Sequence, residues 1–181
     1  MPRLFFMKKL LFPCLLVMVV FLVSCGNDKK TNPNNNPDKY KEPFVKVNKT
    51  LVGKEDQDIQ NYIERHEWKM QQTGTGLRYQ IYFNGKGEKP KGNEKVVIRF
   101  VVSLINGVEC YNSKNDGMKL FELGKAEVEN GLEEGIMLMR VGDKAKLIIP
   151  SHLTYGLLGD ENKIPKRATL IYDVELMEIK K

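Results

Sequence analysis

The chain is poor in the residues from which most catalytic and metal sites are built. Its 181 residues include two histidines, His66 and His152, 86 positions apart with no cysteine or paired acids beside either. That argues against a zinc site and against a Ser-His or Cys-His dyad. There is no G-x-S-x-G, and the glycines of NGKGEKPKG, residues 84–92, lack the spacing and the Lys-Ser/Thr of a phosphate loop. Glu133 and Glu134 are adjacent on a helical stretch and point in different directions, so they read as solvated charges rather than an acid–base pair. No metal and no cofactor is expected. What remains to carry chemistry is apolar and aromatic.

Charge of one sign is also scarce. The formal net charge of +6 includes Arg3, Lys8 and Lys9, which precede the apolar run Leu10 to Val23. A basic stretch, a short apolar stretch and small residues describe a secretory signal, too short to span a bilayer. Leu22-Val23-Ser24-Cys25 resembles a bacterial lipobox. The resemblance implies cleavage before Cys25, lipid on Cys25, and residence at the cell envelope, held by several acyl chains. Losing residues 1–24 leaves 26 basic against 23 acidic residues, or +3, with the lysines scattered rather than striped. Nucleic acid is not an expected partner. Of three cysteines, Cys14 leaves with the signal and Cys25 is lipidated, so Cys110 has no partner for an intrachain disulfide.

The expected organisation is a signal peptide over 1–24, a flexible tether over 25–45, an N-terminal helical segment over 46–75 and one α+β domain over 76–181. The tether is dominated by Asn, Pro and Lys, cannot bury enough apolar surface to fold, and reaches roughly 20–25 Å. A helix is expected over Lys54–Gln71, with Ile59, Tyr62, Ile63, His66 and Met70 on one face. That face suits packing against its own domain, with a dimerisation helix as the alternative; a monomer is expected.

Alternation predicts strands over Leu77–Phe83, Val96–Leu104, around Tyr111, at Phe121–Leu123, over KAKLIIP and from Leu170 onward. Asn106-Gly107 marks a hairpin. A single internal helix is expected over Ala126–Met139, with Val128, Leu132, Ile136 and Met139 as its apolar stripe. Gly131 and Gly135 leave one flank bare for close approach to a sheet. The fold class is therefore α+β, an antiparallel sheet wrapped over one short helix and preceded by an N-terminal helix.

LINGVECYNS, LFELGKAEVENGLEEGIMLMRVGDKAKLIIP, LTYGLLGD and IPKRATLIYDVELMEI together resemble the FK506-binding-protein (FKBP) family of peptidyl-prolyl isomerases, from about Gly76 onward. The resemblance implies prolyl isomerisation of exported, proline-containing polypeptides, in a pocket floored by a helix residue and walled by aromatics. It places Tyr155 at a loop tyrosine that donates its hydroxyl, Val128 at the helix start, Ile164 and Tyr172 on two walls, and Tyr111 in place of another wall aromatic. Four positions depart from the pattern. Phe100 stands where a tyrosine is usual and Asn112 at the usual aspartate. Leu132 takes a floor position often held by tryptophan, and Glu129 a rim position usually apolar. The aromatic before the Phe121 strand is missing, with Lys119 nearest. The alternative to an enzyme is a non-catalytic module that keeps the groove for docking a protein. Asp160, Glu161 and Lys163 read as solvated loop charges, with substrate selection as the alternative.

Overall fold

The computed structural model describes residues 38–180. The signal segment, Cys25 and most of the expected tether lie outside them. The chain separates into two units, Met1–Val45 and Lys46–Lys181. Of the first, only a helical stretch is described.

Helix α1 spans Asp38–Arg65, so it starts well before the expected Lys54 and takes in the last residues of the expected tether. It also ends earlier than Gln71, and Gln71–Gln72 form the short strand β1. There follow β2 (Arg78–Phe83), β3 (Lys95–Leu104), β4 (Glu109–Asn112), the single-turn α2 (Ser113–Asp116), β5 (Lys119–Glu122), α3 (Asn130–Leu138), β6 (Lys144–Ile149), a 3-10 turn at Ser151–Leu153 and β7 (Leu170–Lys180). The strands make one antiparallel sheet in the order β1-β2-β6-β7-β3-β4, with β5 also paired to β3.

Period-two alternation places Val96, Ile98, Phe100 and Val102 of β3, Ala145, Leu147 and Ile149 of β6, and Leu170, Tyr172, Val174 and Leu176 of β7 in one core. Helix α3 closes that face. Gly131 and Gly135 are what permit it: a Cβ on Gly131 would run into Cγ2 of Ile149, and one on Gly135 would lie 2.5 Å from Cδ1 of Leu147. The helix is shorter than the expected Ala126–Met139, because Ala126 adopts φ +52° and Glu129 is extended at φ −60°, ψ 135°. Glu129 therefore occupies the N-cap position, which redirects its side chain inward.

By strand alternation Ile171 shares a face with Asp173 and Glu175, a face that those charges mark as wet. Instead Ile148 and Ile171 are buried on the second face beneath Ile59, Tyr62 and Ile63 of α1. Polar bonds hold the same helix, since Glu55 accepts from Ser151 N at 2.7 Å, Ser151 Oγ at 3.0 Å and Thr169 Oγ1 at 2.7 Å. The helix thus packs on its own domain. His66 and His152 are both exposed, as loop or surface histidines should be.

Candidate active site

Register assembles the site before any loop is considered. Val102 of β3 stands opposite Tyr111 of β4 on one side and Tyr172 of β7 on the other. Directly paired residues share a face, so these three form a row, with Phe100 two residues along. The Phe100 and Tyr172 rings lie 6.3 Å apart at 42°. Together they wall a cavity of about 400 Å³. Asp116, Gly117, Met118 and Lys119 line one flank, with the Lys119 ammonium 5.6 Å from the centre of the Phe100 ring. Tyr155, Asp160 and Glu129 line the other. A groove of about 310 Å³ between α1 and residues 165–169 has no aromatic wall.

The loop after the 3-10 turn is a built structure rather than a slack connection. Arg167 N donates to Gly156 O at 2.7 Å and Asp160 N to Ile164 O at 3.0 Å. Gly159 has φ +75°, and a Cβ there would strike the Ile164 carbonyl, so glycine is required twice over. Asp160, expected as a solvated charge, holds the loop together. Its Oδ1 accepts from Ile164 N at 2.7 Å and Asn162 N at 3.0 Å, and its Oδ2 accepts a short bond from the Tyr111 hydroxyl. Burial works to raise the Asp160 carboxyl, but these hydrogen bonds outweigh it and hold the group below its ordinary value. The Tyr111 hydroxyl is pushed up, chiefly by donating to Asp160. The pattern of an aspartate two and four residues before the amides it caps was present in the sequence as DENKI.

Across the cavity, the Tyr172 hydroxyl donates to Glu129 Oε1 at 2.8 Å. Both residues are buried, Tyr172 to 2% exposure and Glu129 to 7%. Glu129 Oε2 is the one buried side-chain oxygen or nitrogen among the described residues that has no hydrogen-bond partner. Because Glu129 sits at the N-terminus of α3, the helix's partial positive charge compensates part of its burial. Burial first, then the Glu129 carboxylate, raises the Tyr172 hydroxyl well above the ordinary phenol range. Tyr155 is raised in the same way, by burial first, then by the charge of the Glu129 carboxylate and a side-chain hydrogen bond towards it.

Five of the expected site residues thus line one cavity: Phe100, Tyr111, Glu129, Tyr155 and Tyr172. Leu132 and Ile164 are fully packed core beneath it, and half-buried Val128 packs against that core without reaching the lining. Asn112 is a correction. Its Oδ1 caps α2, accepting from Lys114 N and Asn115 N at 3.0 Å each, its amide donates to Glu109, and it faces a different groove. The carboxylates that accept from the Tyr111 and Tyr172 hydroxyls are Asp160 and Glu129, and Asn162 Nδ2 donates to the Tyr111 hydroxyl at 3.2 Å.

A half-open antiparallel sheet closed by one glycine-lined helix, with an aromatic cavity between sheet and loop, defines an FKBP-like domain. The chain belongs to the FKBP-type peptidyl-prolyl cis-trans isomerase family, whose model matches residues 86–177. It is 42% identical over 109 residues to the FKBP-type isomerase FkpA of Escherichia coli (strain K12), covering 60% of this chain and 39% of that protein. The FkpA of Aeromonas hydrophila is 34% identical over 147 residues, covering 76% of this chain and 54% of the relative. The crystal structure of FkpA from Escherichia coli superposes with a TM-score of 0.60 at 32% identity, covering 83% of this chain and 74% of that one. The chain therefore spans between two fifths and about half of the length of these curated relatives.

Proposed function

We propose that the protein is a peptidyl-prolyl cis-trans isomerase that assists folding of proline-containing exported polypeptides at the cell envelope, anchored there by lipid on Cys25. The observation that carries the reading is the cavity of about 400 Å³ with three aromatic walls and a loop tyrosine at its mouth. Rotation about an X–Pro bond is slow because twisting removes amide resonance, at a barrier of about 18–20 kcal/mol. The planar amide is the more dipolar form, so an apolar enclosure disfavours it relative to the twisted one. Phe100, Val102 and the ring of Tyr172 supply that enclosure. Tyr155, exposed at 36%, keeps its proton through the physiological range and donates to a substrate carbonyl. Neither a nucleophile nor a proton transfer is needed, which suits a site without histidine.

A protease-free isomerisation assay on the purified protein tests this. Rates should exceed buffer and fall about five- to tenfold in Tyr155→Phe, the loss of one hydrogen bond made in the transition state. Rates equal to buffer from a folded sample would overturn catalysis. The second reading, a docking module, is favoured by the outward turn of Asn112 and the carboxylate of Glu129 in the cavity. Saturable peptide binding without rate acceleration would establish it.

A further inference from the structure

We infer that Glu129 makes the cavity selective for a basic residue, lysine or arginine, immediately before the proline. The inference rests on the cavity being the proline site. Three carboxylates line it, Asp116, Glu129 and Asp160, against one ammonium, Lys119. Two of the three are engaged within the fold. Asp160 accepts from Tyr111, Asn162 and Ile164, and Asp116 accepts from the backbone N–H of Asn112 at 2.8 Å. Glu129 differs, because Oε1 is bonded to Tyr172 while Oε2 is buried with no partner. A buried carboxylate oxygen left without a donor is costly, and a ligand that supplies one recovers that cost on binding.

The proline ring cannot be that ligand group, since its nitrogen carries no hydrogen. The donor must come from a neighbour. The residue before proline is held extended by clash with the ring, so its side chain approaches the cavity from one direction. A peptide N–H would satisfy the hydrogen bond and leave the charge uncompensated. An ammonium or guanidinium satisfies both, through a charge-assisted bond of the stronger kind. The long stems of lysine and arginine lie along apolar walls while the charged head reaches the acceptor. A glutamate before proline would meet like charge and should be the poorest substrate.

The test uses tetrapeptides Ala-X-Pro-Phe with X as Lys, N6-acetyl-Lys, Leu or Glu, read both as isomerisation kcat/KM and as binding by fluorescence anisotropy. Acetylation keeps the stem and removes the charge, so it probes Glu129 without altering the protein. The expected order is Lys above Leu and acetyl-Lys by about tenfold, with Glu lowest. The ratio of Lys to Leu should fall towards one in Glu129→Gln, which keeps size and loses charge, whatever happens to its absolute rate. A Lys-to-Leu ratio of one in the native protein, or a ratio unchanged in Glu129→Gln, overturns the inference. Rates at buffer level with tenfold tighter binding of the Lys peptide would sink the isomerase reading and keep this one. No binding of any peptide sinks both.

Discussion

The Tyr172–Glu129 pair makes a stability prediction with a specific shape. Tyr172→Phe removes the donor from a 2.8 Å bond between residues exposed at 2% and 7%. Glu129 Oε2 already lacks a partner, so the variant leaves both carboxylate oxygens without that donor in the interior. A hydrogen bond to a charged group contributes about 1.5–3 kcal/mol, and orphaning its buried partner costs at least as much. We expect Tyr172→Phe to lose about 2–3 kcal/mol. Glu129→Ile should cost less, about 0–1 kcal/mol, because the strand of Tyr172 then holds one unpartnered hydroxyl while a desolvated charge is removed. The double variant removes both polar groups and restores an apolar contact, so it should return to within about 1 kcal/mol of native or exceed it. The cycle should therefore show a coupling of about 1.5–3 kcal/mol.

Urea unfolding of the four proteins reads this directly. With a slope of about 2 kcal/mol per molar, Tyr172→Phe should lower the midpoint by about 1 M and the double variant should bring it back. The slopes must stay equal for the comparison to hold. Additivity within about 0.5 kcal/mol, or a Tyr172→Phe midpoint equal to native, would refute the pairing as an energetic unit.

Three further outcomes follow from the same geometry. Gly131→Ala gains about 1 kcal/mol of helix propensity but forces a methyl into Ile149, so the thermal midpoint should fall by the balance of an overpacking cost of about 1–3 kcal/mol or more; an unchanged or raised midpoint contradicts the close approach. Asp160 is held below its ordinary value of 3.8, so its charge contributes stability that is complete above pH 3.8 and lost as pH falls through the lower folded value. Asp160→Asn should be less stable at neutral pH and lose less on acidification, and parallel acid profiles for the two proteins would contradict this. Glu55→Ala should raise amide exchange in α1 from Lys46 onward more than in β3, because it removes three bonds from one carboxylate; equal exchange in the two proteins would contradict a bolting role.

The sheet and the glycine flank of α3 were legible because periodicity and side-chain size are local properties. Val96, Ile98, Phe100 and Val102 alternate in any window long enough to see them. The extent of α1 was not, since Pro43 and Gly53 argue against a helix before Lys54 and only the part carrying Ile59 shows an apolar stripe. The second buried face was missed for a related reason. Ile171 sits in a run where Asp173 and Glu175 mark the same side as wet, and only α1 lying over part of the strand makes it dry. Of the site, the aromatic row was readable from strand alternation combined with family resemblance. Asn112 was misplaced because position alone does not say which way a side chain turns at a strand end. The pairing of Glu129 with Tyr172 spans 43 residues, and each looked like a separate departure until the fold set one against the other.

That pairing changes what the departures mean. Taken singly, a neutral residue at position 112 and a charge at position 129 read as decay of a proline pocket. In the folded chain the carboxylates that hold the cavity hydroxyls come from the N-terminus of α3 and from the loop, where Glu129 orients Tyr172 and Asp160 orients Tyr111. Each of these two wall tyrosines is bonded to an acid from a different element, while the strand register of Val102, Tyr111 and Tyr172 puts their side chains on one face. An unpaired oxygen buried at the cavity wall is costlier than an apolar side chain in the same place, so Glu129 stands out energetically as well as chemically. The lysine-before-proline series separates a working site of altered preference from a remnant one, by rate and by affinity.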